Sequence, residues 1–238
     1  MSNHLILLGM AMFVGGMVYR YDRYDREPLL AILFAIALGA ASCLPACEIE
    51  LGLLSVTSLP SDQALPLVAG TVEECLKLVV VIAVMATLRK RVSDPMDGVT
   101  YGAFVGLGFG IGEAYLVGEG GVTDALRLFF HATLGGIDGF ALGMRSARVS
   151  GWKRTLLMWV SASVAIHVAW DFLALEVLSA PSVGFLLRAA LPVLLLSLVG
   201  LYGASVVRAT RWSKRVFAPT ERTKIWGWPF ARAASAVG

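Results

Sequence analysis

Apolar residues fall into seven runs separated by charged or turn-rich breaks. They run approximately Leu5–Tyr19, Pro28–Ala46, Ala64–Leu88, Gly98–Gly118, Ala125–Met144, Thr155–Leu175 and Gly184–Val207. Most approach the ~20 residues a helix needs to cross a hydrocarbon layer of ~30 Å. The pattern predicts an all-α, polytopic integral membrane protein with about seven transmembrane helices. The first run is the shortest. It reads as an uncleaved span, because Met1–His4 carries no Lys or Arg and no A-x-A-like site follows.

The breaks differ in charge. Arg20, Arg23 and Arg26 follow the first run, Arg89–Arg91 the third, and Arg145, Arg148, Lys153 and Arg154 the fifth. Seven more basic residues follow the last run, so 17 of the 20 Lys and Arg residues occupy alternate connections. The other connections hold Glu48, Glu50, Asp62, Glu119, Asp124 and Glu176, with Arg127 and Arg188 at their edges. The positive-inside rule then predicts an N-terminus outside and a C-terminus in the cytoplasm. Residues 1–207 form the expected transmembrane domain. Residues 208–238 form a basic cytoplasmic tail whose Trp212, Trp226, Trp228 and Phe230 suit an anchor on anionic headgroups.

Composition agrees with the pattern. The chain is 57% hydrophobic and 16% charged, with a mean hydropathy of +0.74. An average soluble domain is roughly 25% charged, so a single soluble core is excluded. A net charge of +3 is modest, and the expected surroundings are a lipid bilayer with no nucleic-acid partner. Cys43, Cys47 and Cys75 all lie in apolar stretches, and no disulfide framework is expected.

Against this background the ionisable residues inside the runs stand out: Glu73, Glu74, Lys77, Glu113, His131, Asp138, His167 and Asp171. Each costs roughly 2.5–3.5 kcal/mol at bilayer depth by insertion scales and needs a compensating role. With the predicted topology and 1.5 Å of rise per residue, Glu73, Glu74, Glu113, His131, His167 and Asp171 fall roughly 6–15 Å below the outer surface. Four helices therefore deliver carboxylates and imidazoles to one layer, whereas a transport pathway would spread them through the membrane. Lys77 stands i,i+4 from Glu73 and i,i+3 from Glu74, so it can pair with either acid. His167 and Asp171 are i,i+4, a spacing that lets the carboxylate hold one ring nitrogen. Asp138 shares a face with His131 two turns away and reads as a support or a neutralised core acid. The clustered set has the composition of a hydrolytic site, either a carboxylate-activated water or a metal hydroxide held by His and Glu.

At these residues the sequence resembles the PrsW family of intramembrane proteases, part of a superfamily with the CAAX prenyl proteases and bacteriocin-processing proteins. The matching segments are Tyr21-Asp22-Arg23 through Glu27-Pro28, the EExxK motif Glu73–Lys77, the FxxxE motif Phe109–Glu113 and the HxxxD motif His167–Asp171. His131 sits where the family's further histidine is expected. One departure is Ala114, where many relatives carry Asn after the FxxxE glutamate. The resemblance implies a multi-pass peptidase of the bacterial cytoplasmic membrane that cuts a single-span membrane protein near the outer leaflet. Its best-known family role is first-site cleavage of an anti-sigma factor. Carried over residue by residue, Glu73, Glu74, His167 and Asp171 are the catalytic set, and Lys77 supports them. Zinc or another divalent metal is the expected cofactor, with Glu74, Glu113, His131 and His167 as its ligands, beside a glutamic-type alternative without metal. A non-catalytic scaffold or immunity-type protein of the same superfamily is the competing reading.

Overall fold

The computed structural model describes residues 2–117, 122–179 and 185–224. Seven helices follow one another: α1 (Ser2–Tyr21), α2 (Leu29–Val56), α3 (Ser61–Thr87), α4 (Pro95–Val117), α5 (Val122–Ser146), α6 (Trp152–Ser179) and α7 (Phe185–Lys224). Each holds one of the seven apolar runs to within a residue at its ends, and no strand occurs among the described residues. Stretches within α2 (Leu29–Val56), α6 (Trp152–Glu176) and α7 (Ala189–Phe217) are long and apolar enough to cross a membrane. Large apolar side chains such as Leu30, Leu157 and Leu196 are exposed on them, as lipid-facing surface requires. The protein is an all-α membrane protein.

Two boundaries move from expectation. Helix α2 continues ten residues past Ala46 to Val56, so Glu48 and Glu50 lie on a helix instead of in a connection. Helix α7 runs without a break past Val207 to Lys224, because its extension packs on the start of α4: Val206 and Ala209 are buried with Met96, Val99 and Phe140. The first turns of the expected tail are thus docked on the bundle. Glu119 and the tail beyond Lys224, with Trp226, Trp228 and Phe230, lie outside the described residues.

The centre of the bundle is the α4–α5 pair. Gly98, Gly102 and Gly106 recur every four residues on α4, and Gly135, Gly139 and Gly143 do so on α5. Small residues at this spacing form a groove that lets two helix backbones approach closely. A Cβ at Gly102 would overlap the Gly135 carbonyl, and one at Gly98 would lie 2.7 Å from the Gly143 backbone. Helix α2 covers the other side of α4 in the same way, with Gly39 against Val105 and Gly108 against Ile36. Helix α3 meets α6 where Gly70 lies under Val168. These approaches enclose α4 and α5 in protein, which frees their sequences from the need to be lipophilic.

The basic-loop end of α4 is tied down by a capping box built from two aspartates. Asp94 Oδ1 accepts the Met96 and Asp97 amides at 2.6 and 3.0 Å, and Asp97 Oδ2 accepts the Ser93 and Asp94 amides at 2.6 and 3.0 Å. Pro95 occupies the first helical position, where a missing N–H costs nothing. Beside this cap, Tyr101 donates to Glu27 Oε2 at 2.5 Å, and Asp22 Oδ2 accepts the Glu27 amide at 3.0 Å. Burial pushes the Asp22 carboxyl up to about 7. Burial, reinforced by neighbouring Asp94, pushes Asp97 up to about 9.

Candidate active site

Helix α3 carries its two glutamates on neighbouring positions, about 100° apart around the axis, and the helices on either side treat them differently. Glu74 is fully buried and faces Lys77, whose Nζ donates to its Oε1 at 2.5 Å. The same Oε1 lies 2.6 Å from His167 Nδ1 on α6. A carboxylate only accepts, so Nδ1 carries the ring proton and the Nε2 lone pair is left for other work. The expected orienter, Asp171, stands 3.6 Å from Nε2, beyond hydrogen-bond range. Glu74 therefore sets the His167 tautomer.

Lys77 also reaches His131 Nδ1 on α5, at 2.7 Å. An ammonium has donors and no acceptor, which makes Nδ1 the acceptor and leaves the His131 proton on Nε2. That proton points at Glu113 Oε2, 2.7 Å away on α4. The other Glu113 oxygen forms an ion pair with Arg127 Nε at 2.9 Å, and Arg127 Nη1 donates to Asp124 Oδ1 at 2.8 Å. Phe130 lies edge-on to both imidazoles, with centroids 5.8 and 5.2 Å from His131 and His167, and Phe109 packs on His131 at 5.3 Å. These rings close the floor of the site. Its open side is marked by Glu113 and Asp171, whose side chains are 22% and 27% exposed.

Glu73 is the residue left over. It is 7% exposed, and its Oε2 has no hydrogen-bond partner. That oxygen faces His131 Nε2 at 3.9 Å and His167 Nε2 at 3.8 Å. Glu73, His131 and His167 each offer one ligand atom, all within 4.8 Å of one another. An orphaned buried carboxylate oxygen beside two imidazole nitrogens fits a divalent cation of the zinc type, for which His₂Glu is a known catalytic ligand set. Because His131 Nε2 carries a proton here, occupation of that nitrogen displaces it.

All six residues of the predicted layer meet at one place. Within it, Glu73 occupies the position expected of Glu74 in the ligand set, and Glu113 is engaged by Arg127 as well as His131. Asp138 lies deeper on α5 and accepts from Ser163 Oγ at 2.8 Å, linking α5 to α6. The segment ending Glu27-Pro28 is not brought to the site. Its partner Tyr101 stands twelve residues before Glu113, roughly 18 Å along α4. Two contributors go unassigned by the sequence reading, Arg127 and Glu50. Glu50 projects from α2 with a buried, partnerless Oε1, and the charges acting on it include Glu113, His167 and Asp171. Its position seven residues after Cys43 and fourteen after Ile36, which pack on α4 at Gly112 and Gly108, is the signal that marks this face.

Residues 27–201 match a family described as PrsW family intramembrane metalloprotease. The chain is 31% identical to Protease PrsW of Bacillus subtilis (strain 168) over 191 residues, covering 71% of this chain and 82% of that protein. It is 31% identical to Protease PrsW of Geobacillus kaustophilus (strain HTA426) over 183 residues, covering 72% and 80%. Protease PrsW of Shouchella clausii (strain KSM-K16) is 26% identical over 176 residues. No solved structure matches the chain. With the matched span covering every residue of the buried Glu–His–Lys cluster, the chain belongs to the PrsW family of intramembrane proteases.

Proposed function

We propose that this chain is a metal-dependent peptidase that hydrolyses a single-span membrane protein close to the outer leaflet. The observation that carries the reading is the unsatisfied, buried Glu73 Oε2 facing two imidazole Nε2 atoms. Glu73, His131 and His167 hold the ion, zinc being the first candidate. A bound divalent ion of this kind lowers the pKa of water and polarises a carbonyl. The protein's own groups do the rest. Glu74 fixes His167 through Nδ1, Lys77 neutralises Glu74 and orients His131, and the phenylalanine rings exclude bulk water from the inner side. Asp171 and Glu113, on the exposed side, are placed to take and return the proton of an attacking water.

The location of the site also favours this reading. Backbone in a substrate helix is hydrogen-bonded internally and resists attack until it unwinds, and unwound backbone is tolerated only beside protein or water. In a seven-span arrangement with the N-terminus outside, the exposed side of the cluster faces the outer surface. There a locally unwound strand finds both. The enzyme would then be a multi-pass protein of the bacterial cytoplasmic membrane, and a membrane-anchored anti-sigma factor is the first substrate class to try.

The test is cleavage of candidate single-span substrates by the purified full chain, with zinc content measured on the same sample. Cleavage by the wild type and none by the Glu73→Ala/Glu74→Ala double variant is expected, with about one zinc per active chain. Full turnover in chain stripped of metal would overturn the metal-dependent reading and favour a carboxylate-activated water. No cleavage of any membrane-anchored substrate by folded, zinc-loaded chain would favour the scaffold.

A further inference from the structure

Glu113 presents a problem for the proposed zinc site. Its Oε2 sits 2.7 Å from His131 Nε2, beside the nitrogen that faces Glu73. Glu113 thus stands against one of the nitrogens that would hold the ion, and a shift toward Glu73 and His167 would turn it from a partner of the His131 proton into a fourth ligand. That change is encouraged when an ion displaces the proton, since Glu113 then loses what it was bonded to. A four-ligand zinc is closed, and structural sites are of that kind, whereas catalytic sites keep one position for water.

What opposes this movement is Arg127. Its Nε holds Glu113 Oε1 at 2.9 Å, and its Nη1 is anchored on Asp124, one turn earlier on α5, at 2.8 Å. Arg127 and His131 are i,i+4 on that helix, so one face of α5 grips both oxygens of Glu113. A guanidinium suits the task because its rigid fork holds two carboxylates in a fixed geometry, which an ammonium cannot.

We propose that Arg127 is a positioning residue that keeps Glu113 off the metal and so reserves the open coordination position for water. This rests on the metal-dependent reading above. It assigns Arg127 a role opposite to that of a simple support: removing it should tighten metal binding while slowing cleavage.

The experiment titrates zinc alone, against a competing chelator, into full-length chain in detergent, with cleavage measured in parallel. Arg127→Gln is expected to bind zinc about tenfold tighter or more, the scale on which groups behind metal ligands act, and to cleave more slowly. Loss of a nearby positive charge would also favour a cation, so a double-mutant cycle with Glu113→Gln separates the two causes. If Glu113 is the added ligand, Arg127→Gln no longer tightens zinc binding when residue 113 is Gln. Arg127→Lys keeps the charge and one contact, and it should return the affinity toward the wild-type value. Zinc affinity unchanged or weakened in a folded Arg127→Gln chain overturns the proposal. So does tightening that persists undiminished with Gln at 113. Should Arg127→Gln fail to fold, Arg127→Lys alone decides: zinc affinity falling below wild type overturns the proposal, and affinity at or above it with reduced cleavage supports it. A wild-type chain that cleaves without binding zinc fails the metal-dependent reading itself. A chain that binds zinc but shows no coupling between positions 113 and 127 fails only this inference.

Discussion

Gly106 links the packing of the bundle to the chemistry of the site, and replacing it by Ala should damage the second more than the first. A Cβ at this position would overlap the His131 carbonyl oxygen and lie 2.6 Å from its carbon and 3.1 Å from Ala132 Cα. Ordinary contacts of this kind begin near 3.4 Å, so α5 must retreat by roughly 1 Å at the turn that carries His131. Overpacking of this sort costs about 1–3 kcal/mol, and the better helix propensity of Ala returns about 1 kcal/mol. The net loss of stability should therefore be about 0–2 kcal/mol. Activity is more sensitive, because a misplacement of about 1 Å can cost about 100-fold. Here the displaced backbone belongs to a residue that contacts Lys77 and Glu113 directly.

Gly98→Ala is the matched control. Its Cβ would meet the Gly143 N and Cα, each at 2.7 Å, a comparable clash eight residues earlier and about 12 Å along α4 from Gly106. Thermal melts in detergent should show similar losses for both variants. Cleavage assays should show a loss of about 100-fold for Gly106→Ala and a much smaller one for Gly98→Ala. Wild-type turnover in Gly106→Ala would refute the reasoning, as would equal losses of activity in the two.

Glu73→Gln removes the orphan charge, so it should abolish zinc binding and cleavage while leaving the melting temperature unchanged or raised; a lower melting temperature would mean that Glu73 is part of a structural ion pair. Lys77→Met strands buried Glu74 without its cation and should cost about 3–5 kcal/mol by thermal or denaturant unfolding, most of it recovered in Lys77→Met/Glu74→Gln. Asp22 and Asp97 titrate higher in the folded chain than the usual 3.8, so the native state holds protons that the unfolded state has released. Stability should accordingly be greatest below pH 4 from these groups and fall as pH rises through about 7 and 9, by at most ~1.4 kcal/mol per pH unit for each; Asp97→Asn should flatten that slope, and a melting temperature that rises over this window would contradict the assignment. In a cysteine-free background, Ser58→Cys should label from the outer face and Lys90→Cys should not, and the reverse would overturn the proposed topology.

The helices themselves are legible because burying an apolar run in lipid or protein leaves few alternatives to a helix. Their ends are less so. Hydropathy stops at Ala46 and Val207, but a helix continues while its residues tolerate the conformation and find something to pack on, as Glu50 does toward the site and Ala209 and Ser213 do on the bundle. The glycines of α4 announce a close approach, yet a four-residue repeat on both helices allows several registers one turn apart. The one adopted, with Gly102 against Gly135 and Gly106 against His131, brings Glu113 to the ring nitrogen of His131.

The shared depth of Glu73, Glu74, Glu113, His131, His167 and Asp171 is also legible, since depth depends only on counting residues from a span's end. Which glutamate does what is not, because neighbouring positions differ by about 100° of rotation, and rotation is set by a partner the count does not name. Here Gly70 seats α3 on Val168 of α6, one turn before Glu74 and one residue after His167, and so turns Glu74 toward the His167 Nδ1 side. Lys77 then decides the rest. It has one positive charge, and it spends its short contacts on Glu74 and His131, at 2.5 and 2.7 Å. Of two adjacent buried carboxylates, Glu73 is the one without a close lysine contact, beside the two imidazole nitrogens. Burying an unpaired carboxylate is expensive, and on the metal-dependent reading proposed above a divalent cation between Glu73, His131 and His167 would relieve that cost at the point where the reaction is proposed to occur.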